Sequence, residues 1–217
     1  MIKVLGRRNS ANVQKVMWTL GELGLDYQRE DVGGSFGYPD NYPNPNPVVP
    51  TIWDGDICVW ESNACVRYLA RTYGQGSLWP EHPAMLACAD VWMEWMRSDI
   101  SLHFFSLFQM LIRGMASTPE KIERHVQGCI TAFAQLDQQL ESRDFVCGDQ
   151  LTMADIVIGA MCYRYMTLDI ERGDHAHMQA WYQRLLQRPA FQKHVMIEYG
   201  SNVDEWNAHE QANAGLQ

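Results

Sequence analysis

A glycine- and proline-rich segment at residues 74–83 divides the chain into two parts that differ in hydrophobic pattern. Before this segment, short apolar runs alternate with amphipathic stretches, which predicts strands alternating with helices. Beyond it, every periodic stretch repeats its apolar residues at helical spacing. The pattern therefore predicts an α/β domain over residues 1–74, followed by an all-α domain over residues 84–217.

The first part has the segment order β-α-β followed by β-β-α, which indicates a small mixed sheet packed by helices. Asp54-Gly55-Asp56 separates the last two strands, and an Asp-Gly step is a strong signal for a tight hairpin. Val49-Pro50 lies just before the third strand, where proline is tolerated and where its peptide bond could be cis. The predicted strands are residues 2–5, 27–31, 51–53 and 58–60, and the predicted helices are residues 11–24 and 62–73.

In the second part, the helix expected near residue 153 has a clear start signal. Thr152 can cap this helix, and Asp155 lies three residues later, where its carboxylate can reach back to the cap. Leu151 and Ile156 can close a hydrophobic staple around the same turn. We read this as a folding signal without chemistry. The predicted helices are residues 84–114, 119–141, 153–168, 175–187 and 190–198, and the polar tail after Gly200 has no assignment.

Composition restricts the kinds of partner that the chain can have. Its 217 residues, 47% of them hydrophobic, can bury a sizeable core. The formal charge of −9 and the lack of a basic stripe argue against a nucleic-acid partner, because phosphate binding needs a concentrated basic surface. Six cysteines without any C-x-x-C pair are typical of free thiols in a reducing compartment. With no run suited to a signal peptide or a membrane span, we expect a cytoplasmic protein.

Two short polar stretches stand out because each follows a strand and opens a helix. The first contains Ser10 and Asn12, directly after two arginines, and the second is Glu61-Ser62. A helix N-terminus offers unpaired N–H groups and a partial positive charge to an anion, and the Ser62 hydroxyl adds a donor. Taken alone, Ser62 could equally be a simple helix cap, and the arginines could be solvated.

These stretches and two others, in this order and spacing, resemble a cytosolic glutathione transferase, and most closely the bacterial members that use serine. The resemblance covers nearly the whole chain. It implies a thioredoxin-like α/β N-terminal domain that binds glutathione, followed by an all-helical domain with the electrophile site and dimer contacts. The segments that carry it are Ser10-x-Asn12, Asn44-Pro45-Asn46 leading to Val49-Pro50, Trp60-Glu61-Ser62-Asn63-Ala64 and Leu151-Thr152-x-x-Asp155.

The resemblance implies a role for each site residue. Val49, before a cis Pro50, would pair its backbone with the cysteinyl part of glutathione, as an added strand does. Glu61 would take the amino group of the γ-glutamyl end, and Ser62 its carboxylate. Ser10 would be the catalytic serine beside the thiol, with Asn12 as the rival donor to the sulfur.

One segment departs from the family pattern. The family often reads N-P-x-G-K-V-P, whereas this chain has Pro47 and Val48 in place of the glycine and the lysine. That lysine commonly holds the glycyl carboxylate of glutathione. Arg7, Arg8 and Lys15 are the residues that could compensate for it.

Two further groups have simpler readings. His175 and His177 are poorly spaced for a metal on a helix and lack a third ligand, so no metal is expected. Eight apolar residues at helical spacing are typical of a core and a subunit interface, with a few members available to line an electrophile site. They are Trp92, Met93, Trp95, Met96, Phe104, Phe105, Phe108 and Met110.

The sequence therefore predicts an enzyme that transfers the sulfur of glutathione to a small electrophile and works as a homodimer. The alternative is a non-catalytic glutathione-transferase-like protein with a regulatory or partner-binding role. A third possibility is thiol-disulfide or peroxide chemistry by the same thiolate. Serine, rather than cysteine, at position 10 argues against a mixed-disulfide mechanism.

Overall fold

The computed structural model describes residues 1–217, and its first part is a four-stranded mixed sheet with helices. The strand order is β2-β1-β3-β4, with β1 parallel to β2 and antiparallel to β3. This arrangement confirms the predicted thioredoxin-like α/β domain. The elements are β1 (Ile2–Leu5), α1 (Ala11–Glu22), β2 (Tyr27–Glu30), β3 (Thr51–Asp54), β4 (Ile57–Trp60) and α2 (Ser62–Tyr73).

The predicted hairpin joins β3 and β4. Asp54 pairs with Ile57, which leaves Gly55-Asp56 as a two-residue loop. Gly55 has a φ of 58°, a left-handed conformation that glycine adopts without a Cβ clash. The Asp-Gly signal thus fixes the register of the sheet edge that leads into α2.

The second part is all helical, as predicted. The helix expected over residues 84–114 is instead three continuous segments that end at Leu111, because residues 96–105 adopt the wider π-helical winding. The tail after Gly200 contains a helix that the sequence analysis did not assign. The elements are α3 (Pro83–Trp95), the π segment (Met96–Phe105), α4 (Ser106–Leu111), α5 (Pro119–Leu140), α6 (Met153–Thr167), α7 (Ala176–Leu186), α8 (Pro189–His194) and α9 (Val203–Ala212).

The start of α6 is held by Asp155, as the capping signal predicts. The carboxylate accepts bonds from the Thr152 backbone N–H at 2.8 Å and from the Thr152 hydroxyl at 3.0 Å. It also accepts from the Val146 N–H at 2.8 Å and from the Trp181 indole at 2.9 Å. One fully buried carboxylate therefore joins α6, α7 and the preceding loop.

The two parts of the chain share a packed boundary. Trp18 of α1 is fully buried in the larger, helical core, where its ring meets Phe191 of α8 edge-on at 4.8 Å. A smaller core lies between the sheet and the first two helices. None of the helices is long and apolar enough to cross a bilayer, and none of the six cysteines is paired.

Candidate active site

The backbone at Val49 is an open strand edge. Val49-Pro50 is a cis peptide bond, as the sequence allows. Neither the N–H nor the C=O of Val49 has a hydrogen-bond partner within the chain. The next residue but one, Thr51, begins β3, so an extended peptide lying beside Val49 could add to the sheet.

A second set of free donors lies at the start of α2. Glu61 precedes the helix with a φ of 69°, which is uncommon for a residue with a side chain. The backbone N–H groups of Ser62 and Asn63 have no acceptor in the chain. Together with the helix dipole, these groups make an anion-binding end.

Lys15 lies beneath this helix start. Its Nζ donates to the Ser62 Oγ at 3.4 Å and to the Asn63 Oδ1 at 3.3 Å, and the residue is 3% exposed. Burial lowers the pKa of Lys15 to about 7, although the nearby Glu61 charge acts in the opposite direction. A cation is thus available under the free N–H groups.

Ser10 and Asn12 lie at the start of α1 and leave donors free. Ser10 is the cap residue, but its hydroxyl bonds to no other group in the chain. The Asn12 Oδ1 accepts from the Ser62 Oγ at 3.2 Å, so the amide N–H₂ of Asn12 has no partner. Two donors, one hydroxyl and one amide, therefore remain as alternatives for a group bound there.

Ser10, Asn12 and Val49 line one cavity of about 380 Å³ between the two parts of the chain. The helical part contributes nine lining residues, from the π segment, α4 and the residues after it, α6 and α9; four of the nine are aromatic and two are arginines. Arg7 points into this cavity and contacts Glu210 of α9, with Nε 2.6 Å from Oε2. Arg8 instead turns away, donating to the Asn213 side chain at 2.7 Å.

The aromatic and methionine residues noted from the sequence lie in three different environments. Phe104, Phe105 and Phe108 line the cavity, whereas Met93 and Met96 are in the core. Trp92 and Trp95 lie on an outer face, where they meet edge-on at 4.6 Å. The group therefore divides between core, cavity and surface.

The segment that departs from the family pattern forms a loop at the cavity rim. The Val48 carbonyl accepts from the Tyr42 hydroxyl at 2.8 Å and from the Asn44 amide at 3.3 Å, which holds the loop beside β3. The Val48 side chain is 46% exposed and contributes no charge. Elsewhere, His175 is buried and His177 exposed, and no three His, Cys, Asp or Glu side chains form a metal-binding group.

Five residues of the candidate site had no role assigned from the sequence: Asn63, Arg113, Arg164, Trp206 and Glu210. Trp206 and Glu210 lie on α9, and a signal for the start of this helix existed. Asn202 before two acidic residues is a typical N-cap pattern. Arg164 was detectable only as a charge within an almost wholly apolar helix. Arg113 had no signal that separates it from an ordinary surface residue, whereas Asn63 lay within the segment Trp60-Glu61-Ser62-Asn63-Ala64 without a role of its own.

Two family descriptions match this chain. The glutathione S-transferase N-terminal domain matches residues 1–71, and the glutathione S-transferase C-terminal domain matches residues 119–184. The first match contains every glutathione-side residue named from the sequence. The second contains α5, α6 and most of α7.

Individual relatives agree with these matches. Glutathione S-transferase GstB of Escherichia coli K12 is 37% identical over 209 residues, which cover 91% of this chain and 99% of the relative. Glutathione S-transferase 3 of Zea mays is 29% identical over 211 residues, covering 89% of this chain and 93% of the relative. A theta class glutathione S-transferase from Xanthomonas axonopodis pv. citri, solved with glutathione bound, superposes with a TM-score of 0.86 at 39% identity and covers 91% of this chain and 98% of its own.

Proposed function

Because the chain belongs to the glutathione S-transferase family and is a glutathione transferase, we propose that Ser10 stabilises the glutathione thiolate while Val49, Glu61 and Ser62 hold the tripeptide. The observation that supports this most strongly is that Val49 keeps both backbone groups unpaired in the cavity that Ser10 lines. A bound cysteinyl residue would satisfy both groups and bring its sulfur to that cavity.

The γ-glutamyl end of glutathione would lie at the start of α2. Its carboxylate would accept from the free N–H groups of Ser62 and Asn63 and from the Ser62 hydroxyl, whose single proton would turn from the Asn12 oxygen to the ligand. Its amino group would meet Glu61. Lys15 adds a positive charge below these donors. Lys15 therefore supplies a positive charge that partly replaces the family lysine absent at position 48. It does so at the γ-glutamyl end of glutathione, whereas that lysine holds the glycyl end.

The catalytic effect would come from lowering the pKa of the bound thiol. A free thiol has a pKa near 8.5, so only a few per cent is thiolate at neutral pH. A hydroxyl that donates to the charged sulfur contributes about 1.5 to 3 kcal/mol, which corresponds to about one to two pKa units. Ser10 would supply this bond, with the start of α1 adding a smaller share.

The remaining features of the proposal follow the family resemblance. The protein would be a serine-type, cytoplasmic homodimer that conjugates small electrophiles as a detoxification step and needs no metal. Residues 1–74 would form the glutathione-binding domain, and residues 84–217 would carry the electrophile site and the dimer contacts. Glutathione would be the co-substrate.

The test compares thiolate absorbance of bound glutathione against pH in Ser10→Ala and Asn12→Ala. We expect Ser10→Ala to raise the apparent thiol pKa by about one to two units and to lower turnover at neutral pH about tenfold, with glutathione affinity nearly intact. A shift only in Asn12→Ala would transfer the role to Asn12. Glutathione binding without turnover of any electrophile in a broad panel would favour the non-catalytic alternative.

A further inference from the structure

Three arginines converge on the cavity that Ser10 lines. Arg7 follows β1, Arg113 follows α4 and Arg164 lies on α6, so they come from three distant parts of the chain. The protein as a whole carries a formal charge of −9. Three positive charges in one cavity of an acidic protein repel one another unless an anionic group lies among them.

The chain itself supplies only part of that counter-charge. The one salt bridge at the cavity joins Arg7 to Glu210, and Glu210 also accepts from the Ser35 N–H at 2.8 Å. Arg113 and Arg164 form no salt bridge. Two of the three guanidinium groups thus have no carboxylate within salt-bridge distance.

Arg164 is the most constrained of the three. It is only 5% exposed, and its Nη2 donates to the backbone carbonyl of Asn9. Its Nε is buried and has no hydrogen-bond partner. The guanidinium lies over the rings of Phe108, at 4.8 Å, and Trp206, at 5.5 Å, which position it without neutralising it.

Arg113 shares the same aromatic support. Its guanidinium lies 4.8 Å from the centre of the Trp206 ring. Burial, more than the neighbouring Arg7 and Arg113 charges, lowers the pKa of Arg164 to about 9, so its guanidinium remains charged at neutral pH. Burying such charges without partners is unfavourable, and a bound anion would relieve it.

The rest of the cavity suits a small apolar body. Phe104, Phe108, Met161 and Trp206 line it, and its volume of about 380 Å³ accommodates a substituted aromatic ring. Ser10 and Asn12 line the same cavity, and the Arg164 guanidinium reaches their neighbourhood through its bond to the Asn9 carbonyl. A molecule with its anionic end among the arginines would therefore lie beside the glutathione sulfur.

We propose that the preferred electrophile is a small molecule carrying a carboxylate, which Arg7, Arg113 and Arg164 bind, with its reactive carbon directed toward Ser10. The proposal rests on the conjugation chemistry proposed above. For a substrate with a halogen on that carbon, the thiolate sulfur attacks the carbon, a C–S bond forms, and the C–halogen bond breaks with its electron pair leaving as halide. The thiol proton has already passed to solvent.

The test uses an isosteric pair that differs in charge, 4-chloro-3-nitrobenzoate and 4-chloro-3-nitrobenzamide. Each kcat/KM is divided by the uncatalysed rate with glutathione to remove the difference in intrinsic reactivity. We expect the wild-type protein to prefer the anion about tenfold or more, since a charged hydrogen bond has about that effect. Arg113→Gln should lower the ratio of the anion's kcat/KM to the amide's toward one, without raising the KM for glutathione.

A matched control keeps the comparison specific. Arg71 lies over the Trp79 ring at 5.9 Å, as Arg113 lies over Trp206, but outside the cavity. Arg71→Gln should therefore leave kcat/KM unchanged for both electrophiles. If Arg113→Gln instead raises the KM for glutathione and affects both electrophiles equally, the arginines serve the glycyl carboxylate and the proposal is wrong.

A binding measurement separates this proposal from the catalytic one. The protein is saturated with S-methylglutathione, which has no ionisable thiol, and the affinity for each electrophile is measured by calorimetry. Tighter binding of the carboxylate by about tenfold, lost in Arg113→Gln, supports the anion site even if turnover is absent. Equal affinities overturn the proposal, whereas failure of turnover alone, with the affinity difference intact, counts against the proposed function only.

Discussion

The Ser62 hydroxyl donates to the Asn12 side-chain oxygen at 3.2 Å, so one hydrogen bond joins the start of α2 to the start of α1. The two residues belong to different parts of the proposed site, one for the γ-glutamyl end and one for the sulfur. Fixing the Asn12 oxygen toward Ser62 leaves its amide N–H₂ free for the cavity. Substitution of Ser62 should therefore affect both its own contact with the γ-glutamyl end and the orientation of the Asn12 amide.

We predict that Ser62→Ala weakens glutathione binding by about tenfold to a hundredfold, since it removes a hydrogen bond to a charged carboxylate. Calorimetry measures the affinity, and a melting curve checks that the variant stays folded. A double-mutant cycle with Asn12→Ala should give a coupling free energy of about 0.5 kcal/mol or more, because the residues share a bond. Unchanged affinity in Ser62→Ala would contradict the assignment.

Glutathione binding should be accompanied by proton uptake at Lys15. Its pKa of about 7 places it near half protonation at neutral pH, and an anion bound above it favours the charged form. The measurement is calorimetry with S-methylglutathione in buffers of different ionisation enthalpy. At about pH 8 we expect a fraction of a proton to be taken up, and Lys15→Met should abolish it. Proton uptake that persists in Lys15→Met would place the titrating group elsewhere.

Lys15 should also give the stability of the protein a pH dependence. Its pKa is near 10.5 in the unfolded chain and about 7 in the folded protein, so between these values the unfolded chain binds more protons. The burial penalty is thus fully present below about pH 7 and is relieved as the pH rises toward about 10. Relative to Lys15→Met, the wild-type free energy of unfolding should rise with pH by on the order of 2 kcal/mol or more from pH 7 to 9.

Urea unfolding at several pH values measures this difference. The control is Lys3→Met, because Lys3 is 44% exposed and pairs with Glu30 at 2.8 Å. The Lys3 variant should follow the wild-type pH profile. Parallel profiles for wild type and Lys15→Met would show that Lys15 keeps an ordinary pKa in the folded protein.

Removal of the Asp155 carboxylate should destabilise the helical part strongly. Asp155→Ala leaves the Trp181 indole and two backbone N–H groups buried without acceptors. We expect the free energy of unfolding to fall by about 3 to 5 kcal/mol, measured by urea denaturation. Asp149→Ala, at an exposed position near the same loop, should change it by less than about 0.5 kcal/mol. A small loss in Asp155→Ala would mean that water can replace the carboxylate.

The proposed homodimer has a candidate contact on α3. Val91 is 64% exposed there, next to the paired rings of Trp92 and Trp95. Obligate interfaces are apolar, so a charge at this position should weaken association. Sedimentation of the wild type should give about twice the mass of one chain, and Val91→Glu should shift it toward one. Met196→Glu, at another exposed apolar position, should leave the mass at about two chains. A wild-type monomer at micromolar concentration would exclude the dimer.

The parts of the fold that could be predicted are those with local signals. The Asp54-Gly55 hairpin, the Asp155 cap and the change of periodicity after Gly74 each depend on residues close in sequence. The break of the long helix into a π segment could not be predicted, since its residues keep helical spacing in either winding. The polar composition of the tail hid α9, although Asn202 caps it.

From the sequence, most candidate site residues could be named only on the proposed glutathione side. Ser10, Val49 and Ser62 lie in short motifs at the ends of strands and helices, where sequence position and spatial position coincide. Lys15 was named only as a residue that could replace the missing lysine. Its burial under α2 could not be predicted, because a lysine within an amphipathic helix is normally solvated. The cavity arginines follow β1, follow α4 and lie on α6, and these elements meet only through tertiary packing, which no local pattern encodes.

The contribution of α9 gives the site an order of assembly during protein synthesis. The strand edge at Val49 and the start of α2 come from the first third of the chain and leave the ribosome early. Trp206 and Glu210, which close the cavity and balance Arg7, are translated after every other element. On the ribosome, a nascent chain can therefore present its tripeptide-binding surface before it has a place for the second substrate.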